Sequence, residues 1–231
     1  MIIGIPKEIM HGEKRVSATP DTVSEMTGLG FKVAVEAGAG IGALCDDRAY
    51  SAAGAEILND AAELYAKSDI ILKVKEPCFN DLSGKHEIDM TPEGGCIIAF
   101  LHPAAPSNHE MLHRMAAKNI TALTLDGIPR ITRAQSMDAL TSMSTCAGYK
   151  GMLMAADALP VFIPPVFSAA GMVKPANVLV AGSGVAGLQA LATAKGWELR
   201  SMSPIYDRPP LNRQRVLVQK LLKLGFLKVS P

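Results

Sequence analysis

The sequence of 231 residues is poor in several residue classes, and each shortage excludes a class of protein. Aromatic residues make up 5% of the chain and hydrophobic residues 48%, so the core is aliphatic, as in parallel α/β sheets rather than all-β sandwiches. The formal net charge is +1, which gives no electrostatic case for binding nucleic acid or an anionic membrane. No apolar run approaches the roughly 20 residues that a membrane helix needs. We therefore expect no nucleic-acid partner and no direct insertion into a membrane.

Cysteine is also scarce. The four cysteines, Cys45, Cys78, Cys96 and Cys146, form no C-x-x-C pair. Their scatter argues against a structural zinc site and for a reducing compartment. The N-terminus has no basic segment followed by a long apolar one, so no signal peptide is predicted. These shortages together indicate a cytoplasmic protein.

The chain does contain a regular alternation of short apolar strands and helical segments. Strands are predicted over residues 1–5, 31–36, 56–58, 69–74, 96–101 and 120–125, the last three of the type buried on both faces. Helices are predicted over residues 20–29, 46–53, 60–66 and 108–118, the first with Thr19 as N-cap. This order predicts an α/β fold with a mainly parallel, Rossmann-like sheet and right-handed crossovers.

The pattern changes after Asp126, where a polar loop leads into a long helix that runs to about Leu159. Small residues on this helix allow close packing, so we interpret it as a connector between two α/β domains. We predict an N-terminal α/β domain over residues 1–138, then the connector helix and the start of a nucleotide-binding Rossmann domain over residues 139–195. A divergent tail follows over residues 196–231.

A glycine-rich turn organises the second domain. The apolar run at 178–181 is followed by Gly182-Ser-Gly-Val-Ala-Gly187 and then by an Ala/Leu-rich helical pattern, which is the strand–turn–helix context of a G-x-G-x-x-G motif. The first glycine permits the turn, the second lets the backbone approach a pyrophosphate, and the third lets helix and strand pack closely. The motif favours dinucleotide binding over an ordinary turn, with these site residues: Gly182, Gly184, Val185, Ala186 and Gly187.

Arg15, Lys75 and His102 each follow a predicted strand of the first domain or lie at its end. Strand ends of a parallel sheet converge on one crevice, where two cations and a histidine would suit a small carboxylate. The alternative is a set of unrelated surface residues.

His109-Glu-Met-Leu-His113 matches the H-E-x-x-H pattern of zinc proteases, but it opens a short helix inside a crossover, and no later histidine supplies a third ligand. We therefore interpret it as a coincidence and predict no metal site.

A second polar set, Arg130, Gln135 and Asp138, lies on the loop and first helical turn after a strand. Such residues can contact the phosphate, ribose or carboxamide of a nucleotide. The alternative is that Ser136 or Asp138 is a plain helix cap.

Six stretches of the sequence resemble the family of alanine dehydrogenases and the NAD(H)-binding alpha subunit of proton-translocating NAD(P) transhydrogenase. They are Gly4–Glu8, Lys14–Val16, Lys73–Pro77, Arg130–Asp138, Ala147–Tyr149 and Gly182–Gln189.

The resemblance implies different site residues in the two branches of the family. In the alanine dehydrogenase branch, Arg15, Lys75 and His102 match the residues that bind and process pyruvate. In the transhydrogenase branch, the loop that holds the nicotinamide ribose end of NAD(H) matches Arg130, Gln135, Ser136, Met137 and Asp138.

The resemblance favours the transhydrogenase branch. It implies hydride transfer between NADH and NADP⁺, with NAD on this chain, NADP on a partner domain or subunit, and proton translocation by membrane-embedded partners. It also implies a homodimer in the cytoplasm, held at the inner membrane through those partner subunits. Two alternatives stay open, namely an alanine dehydrogenase that converts L-alanine to pyruvate, and a non-catalytic truncated remnant that only binds partners.

We expect the residue-by-residue resemblance of this chain to the family to end at Gly196. A reading frame shifted by one base could encode Leu-Gly-Ala and then an Asp about 20 residues after the first glycine, where the ribose-binding acid belongs. We therefore expect the tail to result from a frameshift; a genuine extension with a basic amphipathic helix over 216–224 is the alternative. With its second sheet incomplete, such a chain should be poorly packed after about residue 195 and bind NAD weakly or not at all.

Overall fold

The computed structural model describes residues 1–197 and 200–202, and the chain divides into two compact units between Asp138 and Ala139. Most of the divergent tail, including the alternative basic helix over 216–224, lies outside the described residues. The prediction of poor packing after residue 195 therefore stays a prediction.

The first unit consists of short strands alternating with helices. In chain order its elements are β1 (Ile2–Ile5), α1 (Pro20–Gly28), β2 (Lys32–Glu36), α2 (Asp47–Ala52), β3 (Glu56–Leu58), α3 (Ala61–Lys67), β4 (Ile70–Leu72), β5 (Phe79–Asn80), β6 (Lys85–His86), α4 (Glu87–Met90), β7 (Cys96–Ala99), α5 (His109–Ala117) and β8 (Thr121–Thr124).

The main sheet of this unit has six strands in the order β3-β2-β1-β4-β7-β8, and every neighbouring pair is parallel. The chain builds outward from β1 in one direction and then returns to β4 to build in the other. This is the strand order of a doubly wound Rossmann-type sheet, and the predicted fold class is confirmed. Ligands of such sheets bind beyond the carboxyl ends of the strands, near the point where the order reverses. Here that point lies between β1 and β4.

Local sequence explains where the helices of this unit begin. The Thr19 hydroxyl accepts a hydrogen bond from the backbone N–H of Thr22 at 3.5 Å, and Pro20 occupies the first helical position, as predicted. Asp46 and Asp60 cap α2 and α3 in the same way. Two clusters of buried side chains, mostly aliphatic but each with one buried tyrosine, then hold the helices against the sheet, and all their members lie before residue 121. The core is therefore mainly aliphatic, as the scarcity of aromatic residues predicted, with Tyr50 and Tyr65 as fully buried exceptions.

Two parts of the first unit differ from the prediction. The last strand, β8, was predicted to be buried on both faces, but three of its four residues are exposed and Leu123 is 52% exposed. It lies at the edge of the sheet and, among the described strands, pairs only with β7. The small antiparallel pair β5–β6 and the short helix α4, between β4 and β7, were not predicted at all.

The second unit begins with the long helix that the sequence predicted. Its elements are α6 (Ala139–Asp157), β9 (Val166–Ser168), β10 (Gly171–Val173), β11 (Asn177–Leu179), α7 (Val185–Gly196) and β12 (Arg200–Met202). An antiparallel hairpin, β9–β10, occupies the segment that was predicted to be a plain loop. The strands β11 and β12 pair in parallel on either side of α7 in the chain, which is the start of a βαβ arrangement.

Small residues determine how the two helices of this unit pack. A Cβ atom added to Gly148 in α6 would overlap the backbone carbonyl of Ala186 in the first turn of α7. No larger residue fits at position 148 unless one of the helices moves.

Candidate functional site

The glycine-rich turn connects β11 to α7 in the second unit. Gly182 has φ +120°, a conformation that side chains rarely permit, so the chain can turn sharply only with glycine at this position. A Cβ added to Gly187 would overlap the carbonyl oxygen of Gly182 and come within 3.6 Å of Val180 Cγ1. Gly187 therefore keeps the first turn of α7 close against the preceding strand and turn.

Gly184 occupies the N-cap position of α7 and has a different role. Its backbone is extended, with φ −71° and ψ 179°, so the conformation does not itself require glycine. A Cβ at Gly184 would meet no described atom within 4 Å, and no side-chain hydrogen bond caps the helix there among the described residues. The first N–H groups of any helix lack intrahelical partners, and they attract anions. Open space and uncapped N–H groups fit a phosphate at this helix end.

The Arg130–Asp138 loop belongs to the first unit. It forms a 3-10 turn over Thr132–Met137, with the buried side chain of Ala134 as its anchor. Arg130, Gln135 and Met137 are exposed, as is Ser136. The backbone N–H of Asp138 donates to the carbonyl of Gln135 at 3.3 Å, which closes the turn immediately before α6. The turn thus presents several polar side chains to solvent on one short segment.

A cleft of about 170 Å³ opens beyond the carboxyl ends of β1 and β2. Its lining residues come from the segments after these two strands and are Lys7, Glu8, Glu13, Lys14, Arg15, Gly38, Ala39, Ile41 and Gly42. Arg15 was expected to bind a substrate carboxylate in this region. In the structure its guanidinium forms two hydrogen bonds to the Glu13 carboxylate, from Nε at 2.8 Å and from a terminal nitrogen at 2.6 Å. The hydrogen bonds from Arg15 outweigh burial and lower the pKa of Glu13 to about 2.

Lys75 is half-buried and lies near this cleft without being among its described lining residues. Its backbone N–H donates to Glu8 Oε2 at 3.3 Å, and its charge contributes to lowering the pKa of Glu13. Glu13 therefore interacts with both cations, through hydrogen bonds from Arg15 and through the charge of Lys75.

A second lysine, Lys73, lies fully buried under the same edge of the sheet. Its Nζ is 2.8 Å from Glu87 Oε1 and 3.5 Å from Glu8 Oε2, and Glu87 Oε1 also accepts a hydrogen bond from Tyr65 at 2.7 Å. The other Glu87 oxygen accepts the backbone N–H of Cys78 at 2.9 Å. We call these four side chains, Glu8, Tyr65, Lys73 and Glu87, the buried ionic cluster.

Charges and burial have opposite effects on the pKa values of Lys73 and Glu8, and the same effect on that of Tyr65. Burial alone would lower the pKa of Lys73, but the Glu87 and Glu8 carboxylates outweigh it and raise that pKa. Burial raises the pKa of Glu8 despite the attraction of Lys73, and it raises the pKa of Tyr65 well above its ordinary value, with Glu87 adding to the effect. The cluster fixes the ends of β1 and β4, because Glu8 also accepts the backbone N–H of Val74.

His102 lies three residues beyond the end of β7 and faces Asp126, which follows β8. Its Nδ1 is 2.8 Å from Asp126 Oδ1, and its backbone N–H donates to Asp126 Oδ2 at 2.8 Å. The imidazole also stacks on Phe100, with the ring centroids 6.0 Å apart. Burial would raise the pKa of Asp126, but hydrogen bonds from Thr124 and His102 outweigh it, so that pKa lies below its ordinary value.

Two groups of residues at the carboxyl edge of the main sheet were not predicted from the sequence. The buried ionic cluster was overlooked, although Lys73 lies within an apolar stretch that was predicted to be buried, and a buried lysine requires a paired carboxylate. Asp126 was noted only as the place where the pattern changes. Its partner at position 102 is 24 residues away in the chain, and no local spacing connects the two.

The H-E-x-x-H stretch coincides with the first turns of α5. Within the described ranges, no group of three or more His, Cys, Asp or Glu side chains is placed to hold a metal ion. None of the helices described for this chain has both the length and the apolar character needed to span a membrane.

Comparison with known protein families gives two matches that together cover most of the chain. The family described as alanine dehydrogenase/PNT, N-terminal domain, matches residues 4–147, and alanine dehydrogenase/PNT, C-terminal domain, matches residues 151–220. The second match runs past Gly196, where the residue-by-residue resemblance was expected to end.

Individual relatives come from both branches of this family. An NAD(P) transhydrogenase subunit alpha protein of Rhodospirillum rubrum is 44% identical over 195 residues, which is 84% of this chain and 50% of that protein. The alanine dehydrogenase of Methanococcus maripaludis is 34% identical over 203 residues, which is 85% of this chain and 51% of that protein. The chain thus spans about half the length of these relatives.

Among solved structures, the transhydrogenase from Sinorhizobium meliloti superimposes with a TM-score of 0.83 at 37% sequence identity. The superposition covers 95% of this chain and 63% of that one.

Proposed function

The chain belongs to the alanine dehydrogenase/PNT family, and on that basis we propose that it is the NAD(H)-binding component of an NAD(P) transhydrogenase. The greater identity to a transhydrogenase alpha subunit, 44% against 34% for an alanine dehydrogenase, supports this branch. The Arg130–Asp138 stretch supports it as well, because it carries the transhydrogenase pattern.

The observation that carries NAD(H) binding is the geometry of the glycine-rich turn. Gly182 turns the chain, Gly187 keeps α7 close to the preceding segment, and Gly184 leaves open space at the uncapped helix end. These features fit a pyrophosphate, which would accept hydrogen bonds from the N–H groups around Val185 and Ala186.

The exposed loop side chains complete the proposed set. Arg130, Gln135, Ser136, Met137 and Asp138 would orient the nicotinamide ribose end of NAD(H). The cofactor supplies the hydride chemistry, while the protein binds and orients the ring. NADP would bind to a partner domain or subunit, and membrane-embedded partners would couple the transfer to proton translocation. We further propose a homodimer in the cytoplasm, held at the membrane by those partners.

A substitution at Gly184 tests cofactor binding without disturbing the fold. Gly184→Val places methyl groups in the open space at the helix end, at a backbone conformation that valine adopts readily. Binding of NADH is measured by ligand-observed NMR up to millimolar cofactor, because the wild-type affinity is expected to be low. We expect Gly184→Val to weaken binding at least about tenfold, or about 1.4 kcal/mol.

The matched control is Gly196→Val at the opposite end of the same helix, where a Cβ also meets no described atom within 4 Å. It should bind NADH like the wild type. Binding of NADH by the Gly184→Val variant as tight as that by the wild type would contradict the proposal.

The transhydrogenase activity is tested by adding the chain to the remaining subunits of the Rhodospirillum rubrum transhydrogenase, in place of the alpha polypeptide that this chain resembles. Restored hydride transfer from NADH to NADP⁺ is the expected result.

Alanine dehydrogenase is the second candidate, and the contact of His102 with Asp126 is the observation that favours it. Arg15, Lys75 and His102 would then act on pyruvate. Alanine-dependent reduction of NAD⁺, without transhydrogenation, would select this candidate. Absence of both activities with dimerisation retained would instead select the non-catalytic remnant.

A further inference from the structure

The charges of the buried ionic cluster do not balance. The ammonium group of Lys73 lies 3.5 Å from the Glu8 carboxylate and 2.8 Å from the Glu87 carboxylate, and none of the three side chains is more than 2% exposed. Tyr65 keeps its proton, because burial raises the pKa of its hydroxyl. The cluster therefore contains one negative charge in excess, which is unfavourable away from water. Two carboxyl groups that share one site favour the state in which one of them is protonated.

The two carboxyl groups of the cluster differ in their hydrogen bonds. Glu87 Oε1 accepts from Tyr65 at 2.7 Å and from Lys73 at 2.8 Å, and Glu87 Oε2 accepts a backbone N–H at 2.9 Å. Glu8 Oε2 has longer contacts, with the backbone N–H of Lys75 at 3.3 Å and with Lys73 Nζ at 3.5 Å. Hydrogen bonds from a cation to a carboxylate are ordinarily about 2.7–2.9 Å long. Glu8 is therefore the carboxyl group whose contacts are weakened least when it binds a proton.

Glu8 also lines the cleft beyond β1 and β2, and it is the one member of the buried ionic cluster among the described lining residues. Its Oε1 accepts a hydrogen bond from the backbone N–H of Val74. A carboxylate oxygen has two lone pairs, so Oε1 can hold a proton as well. Because Glu8 lines the cleft, that O–H group can donate a hydrogen bond to a ligand there. Glu8 thus connects the excess charge of the cluster with the cleft.

Charged groups surround Glu8 on both its strand side and its cleft side. The strand side contributes two lysines after β4 and the glutamate of α4, and the cleft side contributes three cations and one carboxylate. They are Lys73, Lys75 and Glu87 on the strand side, and Lys7, Glu13, Lys14 and Arg15 around the cleft. Because Arg15 lowers the pKa of Glu13 to about 2, the Glu13 carboxylate stays ionised near neutral pH. The cations attract an anion, and an anion beside Glu8 disfavours the charged form of its carboxyl group.

We propose that Glu8 takes up one proton from the solvent when a small anion enters the cleft. The carboxylate becomes a neutral carboxylic acid, the excess charge of the cluster disappears, and the new O–H group donates a hydrogen bond to the anion. A small carboxylate was already expected in this region; the proposal adds the group that makes its binding depend on protons. This role is separate from the binding of NAD(H) at the glycine-rich turn, and it stands or falls independently of it.

The ionisation of Glu8 can be followed directly by NMR of the full chain labelled with ¹³C at the glutamate carboxyl carbons. The variant Glu8→Gln identifies the resonance of Glu8. Sulfate is the probe, because it exchanges no proton of its own near neutral pH. Burial already raises the pKa of Glu8, and an anion in the cleft should raise it further. We expect saturating sulfate to raise this pKa by about one unit, which is a tenfold change in the ratio of the two forms.

The affinity for sulfate gives a second readout. Because the complex holds a proton that the free protein has lost, binding weakens as the pH rises from the pKa of free Glu8 through that of the complex. By isothermal titration calorimetry, we expect the wild type to bind sulfate about fivefold or more weakly at about pH 8 than at about pH 5. The variant Glu8→Gln carries a neutral amide at this position, so its affinity should change less than about twofold over the same range.

Two matched controls remove other titratable groups near the cleft. Glu36→Gln replaces a half-buried carboxylate that accepts the backbone N–H of Lys7 at 2.8 Å, and His11→Gln replaces an exposed histidine of the segment after β1. Neither residue is among the described lining residues of the cleft, and both variants should keep the pH dependence of the wild type.

The wild type alone can overturn the proposal, even if Glu8→Gln fails to fold. Absence of sulfate binding, or a sulfate affinity that is the same at both pH values, would do so. A folded Glu8→Gln protein that keeps the full pH dependence of sulfate binding would also overturn it, because the proton would then bind elsewhere.

Discussion

At the scale of single residues, the buried ammonium group of Lys73 is a charge that the first unit must compensate with buried carboxylates. Both Lys73 and Glu87 have side chains that are 1% exposed, and they rely on each other and on Glu8 for compensation. Lys73→Met would leave two carboxyl groups buried without their cation. We expect it to lower the free energy of unfolding by about 3–5 kcal/mol, measured by urea denaturation.

The control for this change is Lys67→Met, which breaks an ion pair of similar length on the surface. Lys67 Nζ lies 2.6 Å from Glu56, with the two side chains 36% and 53% exposed. Exposed pairs contribute about 0–1 kcal/mol, so this variant should be nearly as stable as the wild type. Equal losses in the two variants would show that burial of Lys73 carries no special cost.

The pair of Glu13 and Arg15 predicts a dependence of stability on pH. The folded-state pKa of Glu13 is lowered from 4.5 to about 2, chiefly by hydrogen bonds from Arg15, so its carboxylate stabilises the fold above pH 4.5. That contribution is lost as the pH falls from 4.5 to about 2. The stability difference between the wild type and Glu13→Gln should therefore shrink over this window, as measured by urea denaturation at several pH values. A difference that is independent of pH would contradict the assignment.

At the scale of elements, two glycines of α6 allow a matched comparison. Gly148→Ala should destabilise the second unit by about 1–3 kcal/mol, because its methyl group overlaps the backbone of Ala186 in α7. Gly151 meets no described atom within 4 Å, so Gly151→Ala should stabilise the helix by about 0.5–1 kcal/mol. The melting temperatures of the two variants, measured by thermal denaturation, test this prediction. A Gly148→Ala protein as stable as the Gly151→Ala protein would contradict it, because α6 and α7 would then move apart without a cost in free energy.

Elements with strong local signals were predicted well. Thr19 and Pro20 define the start of α1, and the strand over Glu56–Leu58 has the predicted bounds. Elements whose structure depends on neighbouring elements were predicted less well. The hairpin β9–β10 has no turn signature that distinguishes it from a loop, and the exposure of β8 depends on its place at the sheet edge rather than on its apolar sequence.

At the scale of the whole molecule, the first unit contains everything that its main sheet needs. Both large clusters of buried hydrophobic residues lie within residues 1–138. We expect a fragment of residues 1–138 to fold alone and to unfold in one cooperative transition, measured by circular dichroism in urea. Lys73→Met should lower its stability by about the same amount as in the full chain. A fragment without a cooperative transition would contradict this.

The candidate site was only partly accessible from the sequence. The residues of the glycine-rich turn follow one another, so Gly182, Gly184 and Gly187 could be assigned roles from their spacing. Arg15, Lys75 and His102 were selected for their places near strand ends, but spacing could not tell that Arg15 binds Glu13 or that His102 binds Asp126.

The sequence by itself determined the α/β class, the chain order of the main-sheet strands and the helices that connect most of them, the glycine-rich turn and the family, because each depends on short-range patterns. The tertiary structure alone decided the buried ionic cluster and the partner of His102. Residues 8 and 73 meet because β1 and β4 are adjacent in the sheet, α4 brings Glu87 to the same lysine, and residues 102 and 126 meet because β7 and β8 are adjacent. Strand order arises from packing over the whole unit, and no local stretch of sequence encodes it.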